Sequence, residues 1–463
     1  MSGSFVRQGG PSAVSSPRGI APAGAVTLLV AGHLGLLLVR DLPRHRVAVL
    51  LCCVVSFAGM LWAWTSARRL QPIHILLVAG VLRALVLPLP STLSDDIYRY
   101  LWDGRVASAG HDPYRLRPTD DTLSSLHHGF RDQYGRSVPH PEVPTIYPPL
   151  ALTVFSIASR LPASLFVLKL GLAAADIGLC ALLLLLARRW RLPPFHAVAY
   201  AWNPLATIEV AGMGHVDSLG VLLAAAAVCF LTARPPRGLA AATATVAGVC
   251  AKLVPVVAIP LWATRSGRPW AFLGIVALVG LAAFAPVLAA GGGIPPAWTV
   301  YAQSWEFNGP LYEPLWRLLA SVDASAAIKG VLSRLQVSTG WPGWSAVQPY
   351  IYPELVARVP LLALLAWQVA RQLRRGSLLA AVLATFGWLV LCSPTVYPWY
   401  LLWVLPWAAL ARAREWVVLS ATIFASYLTQ PLGAPYWPWV YVAVWAPFFL
   451  TLVISRRWAT STA

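Results

Sequence analysis

The sequence is short of charge. Asp, Glu, Lys and Arg together make up 11 % of its 463 residues, whereas a soluble domain runs nearer a quarter. That shortage excludes a soluble enzyme, and a mean hydropathy of +0.65 excludes a disordered or fibrous chain. Lysine is scarcer still, confined to Lys169, Lys252 and Lys329. The six cysteines all sit inside apolar runs, away from the hydrophilic loop where an external disulfide would form, and no C-x-x-C occurs. They read as small buried apolar side chains. Neither G-x-x-x-x-G-K-[ST] nor G-x-G-x-x-G is present, so nothing points to ATP or dinucleotide machinery.

Apolar runs fill the space that charge vacates. A spanning helix needs about 20 such residues. Candidates are 22–39, 47–66, 72–90, 148–163, 165–187, 195–210, 215–232, 238–263, 270–290, 310–327, 358–371, 377–393, 397–411, 416–431 and 436–454. Several are too short to span alone. The expected fold is an all-α polytopic membrane protein with roughly 11–14 transmembrane helices, some broken or re-entrant where they line a cavity. Residues 1–21, rich in Ser, Gly and Pro, read as a disordered cytoplasmic tail. Residues 22–454 read as one transmembrane domain, and 455–463 as a second cytoplasmic tail.

The net charge is +18, from 35 basic and 17 acidic residues. The bases cluster at the ends of apolar runs: Arg68-Arg69, Arg188-Arg189, Arg371-Arg374-Arg375, Arg456-Arg457. The positive-inside rule accounts for that placement, which makes the bilayer the partner and excludes nucleic acid. The loop 91–147 holds eight of the seventeen acids against six arginines and is therefore expected outside, together with a second loop at about 291–309. Counting back from Arg456-Arg457 puts residues 393–400 outside and Arg374-Arg375 inside. The same logic sets Arg188–Arg191, Arg234, Arg237, Arg265 and Arg268 inside. The turns at 214–217 and near Lys252 then face outward as hairpin tips. The count through 148–187 does not close.

The outward tips collect the chemistry. Asp95 and Asp96 stand together directly after an apolar run, where adjacent carboxylates are costly unless solvated, paired or used. In a helix starting there, Asp96, Arg99 and Asp103 share one face, while Tyr98, Trp102 and Arg105 share the next. The same residues could equally serve as a helix N-cap and surface salt bridges. Tyr147 before two prolines fits an interfacial anchor and a helix start. Glu209, His215 and Asp217 are ionisable groups in an apolar region, fit either for function or for an internal hairpin lock. Lys252 either snorkels or meets an anion. Tyr397, Trp399 and Tyr400 suit an aromatic belt or a sugar platform. The histidines of the acidic loop fit no zinc spacing. A divalent cation at Asp95/Asp96 is the weaker alternative to no cofactor at all.

Taken in order, "SDDIYRYLWDGRVASAGHDPYRLRP" (94–118), "IYPPLA" (146–151), "AWNPLATIEVAGMGHVDSLGVLL" (201–223), "AKLVPVVAIP" (251–260), "FNGPLY" (307–312) and "SPTVYPWYLLWVLP" (393–406) resemble a known set. They are similar to the membrane glycosyltransferases of superfamily C, nearest to bacterial polyprenyl-phosphate-mannose mannosyltransferases including glycosyltransferase family 87. The motif order also resembles GPI mannosyltransferase I. The resemblance implies a cell-membrane hexosyltransferase whose active site faces outward. A hexose, mannose first, would pass from a polyprenyl-phosphate sugar donor to a glycolipid or polysaccharide acceptor with inversion. It implies that Asp96 or Asp95 is the general base, with Asp96 favoured. Lys252, Arg99, Arg105 and His215 become candidates for the donor phosphate. Tyr98, Trp102, Tyr147, Asp217, Asn308, Tyr397, Trp399 and Tyr400 become candidates for the sugar and acceptor. Two runs precede the one leading to the aspartates where many relatives need one, and no large soluble C-terminal domain follows. A transporter or flippase of lipid-linked saccharides is the other class compatible with such a chain. It is disfavoured because no half-to-half repeat is visible and the charge gathers in one loop.

Overall fold

The computed structural model describes residues 23–39, 41–66, 70–291, 293–429 and 436–461. The tail expected at 1–21 and Arg68-Arg69 lie outside the described residues. The structure is that of an all-α polytopic membrane protein. Among the described residues the only extended pairing is a pair of isolated bridges joining Phe307 and Asn308 to Thr395. Five helices are long and apolar enough to cross a bilayer: Arg46–Ser66, Ser164–Arg189, Pro269–Ala289, Pro353–Leu373 and Tyr436–Ser455. A further apolar pair, Pro204–Gly212 and Asp217–Leu231, meets at a 119° bend, and shorter apolar helices fill the remaining runs. At the C-terminus, the helix Tyr441–Ser461 runs through most of the segment expected as a tail.

The chain starts with helices α1 (Ala23–Leu38), α2 (Arg46–Ser66) and α3 (Pro72–Val86). Glycines let α1 and α2 approach at backbone distance. A Cβ on Gly32 would sit 2.5 Å from the Cys52 carbonyl oxygen, and one on Gly59 would sit 2.6 Å from that of Ala25. Small residues at such seams are how helices associate in lipid, where apolar burial gives no net drive. The outer loop then forms α4 (Asp96–Ser108) and α5 (Ser124–Tyr134) before the chain enters α6 (Pro149–Ser159) and α7 (Ser164–Arg189).

Helix α6 explains why the topology count through 148–187 fails. It has 11 residues, so it rises about 16 Å, roughly half a hydrocarbon core of about 30 Å. It packs along α4, with Ser156 and Ser159 hydrogen-bonded to Ser108 at 2.9 and 3.1 Å. The start of α7 is tied to the same loop by Ser164 Oγ, which pairs with Tyr134 at 2.5 Å. The run 148–163 is therefore not a crossing, and α7 leaves from the same side as the acidic loop. Run 310–327 is likewise not one helix. It breaks at Asp323, a left-handed residue (φ 45°) between Tyr312–Ser321 and the helix Ala324–Thr339 that Asp323 caps.

Other expectations hold in detail. Lys252 is the extended residue (φ −157°, ψ 138°) that ends Gly238–Ala251. The chain returns through residues 254–265, so that a Cβ on Gly238 would lie 2.9 Å from the Ser266 carbonyl. The 238–263 run is thus a closed hairpin with Lys252 at its tip. Buried polar residues fasten the bundle elsewhere. The Arg83 guanidinium lies 2.6 Å from Asp176, which also accepts from Tyr200 at 2.5 Å. Charges sealed in an apolar interior persist only when paired and hydrogen-bonded in this way.

Candidate active site

The hairpin tips and the acidic loop enclose a cavity of about 860 Å³. Asp95, Asp96, Tyr147, Asp217, Lys252, Tyr397, Trp399 and Tyr400 all line it. Sequence reasoning therefore named much of one wall. The ends of elements that line this cavity alternate along the chain with the ends that carry arginine clusters.

Asp95 and Asp96 occupy the N-terminus of α4, with Asp95 as the N-cap residue. Asp95 is exposed and Asp96 half-buried. Helix N-termini favour carboxylates. What sets Asp96 apart is its company. Its Oδ2 is 3.9 Å from His215 Nε2 and 3.4 Å from the Tyr100 hydroxyl. Loss of water around Asp96 pushes its carboxyl above the usual carboxylate range, with His215 and Lys252 pulling the other way and Asp95 and Asp217 adding to the rise. A carboxylate raised in this way is a better proton acceptor near neutral pH than an ordinary one.

His215 is fully buried and stands behind Asp96 instead of lining the cavity. Its Nδ1 is 2.9 Å from the Glu209 backbone carbonyl and 3.2 Å from Glu209 Oε2, and its Nε2 is 3.2 Å from Ser94 Oγ. The π-helical turn Ile208–Gly212 and the left-handed Gly214 (φ 86°) deliver it there. A Cβ on Gly214 would lie 2.4 Å from Ile97 of α4, so glycine is what lets this turn press against the aspartate helix.

Lys252 reaches the cavity from its hairpin tip. Its Nζ donates to Asp217 Oδ2 at 2.9 Å, and Asp217 Oδ1 accepts from Trp403 Nε1 at 2.7 Å. Asp217 is sealed (0 %) while Lys252 keeps 19 % of its side chain exposed. One ammonium N–H is thus committed, leaving the others for a ligand. The ammonium also sits 5.9 Å above the Tyr400 ring, within cation–π range.

Aromatic rings floor the cavity. Trp399 stacks on His215 at 4.0 Å and on Tyr397 at 4.6 Å, and Tyr397 stacks on Phe307 at 5.0 Å.

Other predicted residues are placed away from the cavity. Arg99, expected at the donor phosphate, pairs instead with buried Asp103 at 2.8 Å and donates to the His140 and Val143 carbonyls at 2.7 Å each. Thr145 donates to the other Asp103 oxygen at 2.6 Å. This pair holds the returning strand of the loop. Arg105 hydrogen-bonds Gln133 and lies over Phe130 at 5.5 Å. Tyr98 packs under Arg136 at 4.1 Å, and Trp102 is buried against His127 and Phe130. Asn308 (φ 59°) is buried. Its side chain donates to the Val396 carbonyl and accepts from Tyr436 and Trp445, locking the 307–309 turn to the 393–396 turn.

The sequence reading passed over Arg46, Arg136, His140, Trp298, Tyr301 and Trp305, all of which line the cavity. Tyr301 hydrogen-bonds Tyr400, and Trp298 donates to the Ile146 carbonyl at 3.1 Å. The available signal was the spacing of Trp298 and Tyr301, three residues apart and so on one face of the helix Pro296–Ser304, with Trp305 just past its end. Among the described residues no three His, Cys, Asp or Glu side chains gather as a metal cluster.

The family model of the N-terminal domain of alpha-(1→6)-mannopyranosyltransferases matches residues 17–267, more than half of the chain. The match takes in Asp95, Asp96, His215, Asp217 and Lys252. No curated protein and no solved structure matches the chain.

Proposed function

Because the chain belongs to the alpha-(1→6)-mannopyranosyltransferase family, we propose that this membrane mannosyltransferase works with Asp96 as its general base. The observation that carries the assignment is the position of Asp96 in the cavity wall, half-buried, 3.9 Å from His215, with its carboxyl raised by loss of water. The donor is a polyprenyl-phosphate mannose. The acceptor is the 6-hydroxyl of a mannose in a glycolipid or glycan. The family description supports the sugar and the linkage. Apolar helices around a cavity without any nucleotide motif support a lipid-linked donor.

In this reading the acceptor oxygen attacks the anomeric carbon as its proton passes to Asp96. The bond from that carbon to the phosphate oxygen breaks, and its electron pair leaves with the polyprenyl phosphate. A β-linked donor gives an α-linked product, an inversion. Lys252 offers its free N–H groups to the phosphate as charge builds there. Asp217 and Trp403 hold the lysine in place. The ladder Trp399–Tyr397–Phe307 walls the sugar site. Asp95, exposed beside the base, orders the acceptor hydroxyls, and no resident cofactor is required. The cavity side is the extracytoplasmic face of the cell membrane in this reading, which the arginine distribution supports.

The test is a transfer assay. Membranes carrying wild type, Asp95→Asn or Asp96→Asn receive radiolabelled polyprenyl-phosphate mannose and native lipid extract, with and without EDTA. Label entering a glycolipid or glycan, lost in Asp96→Asn and indifferent to EDTA, supports the reading. Folded wild-type protein that transfers nothing from the mannose donor overturns it.

A further inference from the structure

A second cavity, of about 1050 Å³, lies at the far end of α7. That helix has 26 residues, so its ends are about 39 Å apart. Ser164 at its start is tied to the acidic loop, and Arg188 and Arg189 at its end line the second cavity. The two cavities therefore open toward opposite faces of the bilayer.

Five guanidinium groups surround the second cavity: Arg188, Arg189 and Arg191 from the end of α7, and Arg234 and Arg237 from the turn after Asp217–Leu231. No acidic residue lines it. The nearest acids in sequence are engaged elsewhere, Asp176 with Arg83 and Asp217 with Lys252. Two helix C-termini point here, each worth roughly half a negative charge, far short of five positive ones.

The positive-inside rule places arginines on this side but does not require two separate turns to close around one hollow. Here Arg189 fastens them together, donating to the Cys229 carbonyl and to Thr232 Oγ1 at 3.1 Å. The left-handed Arg191 (φ 56°) reverses the chain at the rim. The guanidinium groups of Arg188, Arg191, Arg234 and Arg237 make no hydrogen bond or ion pair among the described residues. The inner wall, by contrast, is apolar: Leu182, Leu185, Ala226 and Phe230.

We propose that this hollow binds the phosphate headgroup of an anionic phospholipid, its acyl chains lying along Leu182 and Leu185. Surplus positive charge at headgroup depth selects the phosphate. The apolar wall beneath it selects a lipid over a soluble phosphate.

The experiment is native mass spectrometry of the full chain in neutral detergent, titrated with phosphatidylglycerol or phosphatidylcholine. Wild type retains one phosphatidylglycerol saturably and no phosphatidylcholine. The Arg188→Gln/Arg191→Gln/Arg234→Gln variant binds it about a hundredfold more weakly, with an unchanged melting temperature in phosphatidylcholine. Equal retention of both lipids by wild type overturns the proposal without any variant. So does full phosphatidylglycerol binding by the variant. Displacement of the lipid by inorganic phosphate at equal concentration assigns the hollow to a soluble anion and overturns the lipid.

Discussion

His215 Nε2 lies 3.9 Å from Asp96 Oδ2, and the opposite ring nitrogen lies 3.2 Å from Glu209 Oε2. A buried imidazole thus stands between two carboxylates, one sealed in the bundle and one open to the cavity. His215 draws the Asp96 carboxyl toward its charged form, against the loss of water that raises it.

The first prediction follows from that bias. Replacing Asp96 by Asn lowers turnover by about 10²–10⁴-fold, the usual worth of a general base, while Asp95→Asn costs less and mainly raises the acceptor KM. Ionising Asp96 in the folded protein is harder than in the unfolded chain, so removing its charge does not lower the melting temperature. Steady-state transfer rates and a thermal melt in detergent measure both halves.

The pH profile carries a sign. Asp96 must be ionised to accept a proton, and its carboxyl sits above the usual carboxylate range. As pH falls, activity is lost on an acid limb lying above about 3.9, the ordinary value for Asp. His215→Gln removes a nearby group that favours the carboxylate and displaces the limb further upward. A limb unmoved in His215→Gln removes the electrostatic link between the two residues.

Lys252 should report on the donor. Lys252→Ala deletes the ammonium and leaves sealed Asp217 without its charged partner, a loss of about 3 kcal/mol. The donor KM rises more than the acceptor KM. Lys252→Arg restores charge but not the compact geometry, so it recovers stability better than transfer. Donor titrations at fixed acceptor separate the two effects.

Gly104 carries a purely steric prediction. A Cβ there would lie 2.3 Å from the Phe155 carbonyl oxygen in α6. Gly104→Ala therefore pushes α4 off its neighbour at a cost of about 1–3 kcal/mol. Because α4 begins with Asp96, activity falls along with the melting temperature, as parallel melts and assays of the variant will show.

Much of this site was legible because its residues sit in breaks. Asp95-Asp96, Tyr147-Pro148, Gly214-His215 and Lys252 interrupt apolar runs, and an interruption that costs energy in lipid stands out in a sequence. Arg99 and Asp103 misled because their spacing looks the same whether a pair faces a ligand or a loop. Only the three-dimensional return of residues 139–145 assigns them to the loop. Helix α6 misled for a related reason. An apolar run of borderline length reads as a crossing, and only its packing on α4 reveals that it lies on one side. Arg46 was invisible, since a single arginine at a helix start carries no pattern.

The alternation of cavity ends and arginine ends along the chain has a further meaning. Every group the proposed reaction uses gathers at one cavity, so in that reading the mannose never needs to be carried across by this protein. In that reading the layer in which the glycan grows is decided by insertion: the connecting turns of polypeptide set the direction once, during biosynthesis, and no ion gradient has to maintain it. The sidedness of the product becomes a heritable property of where the arginines are written.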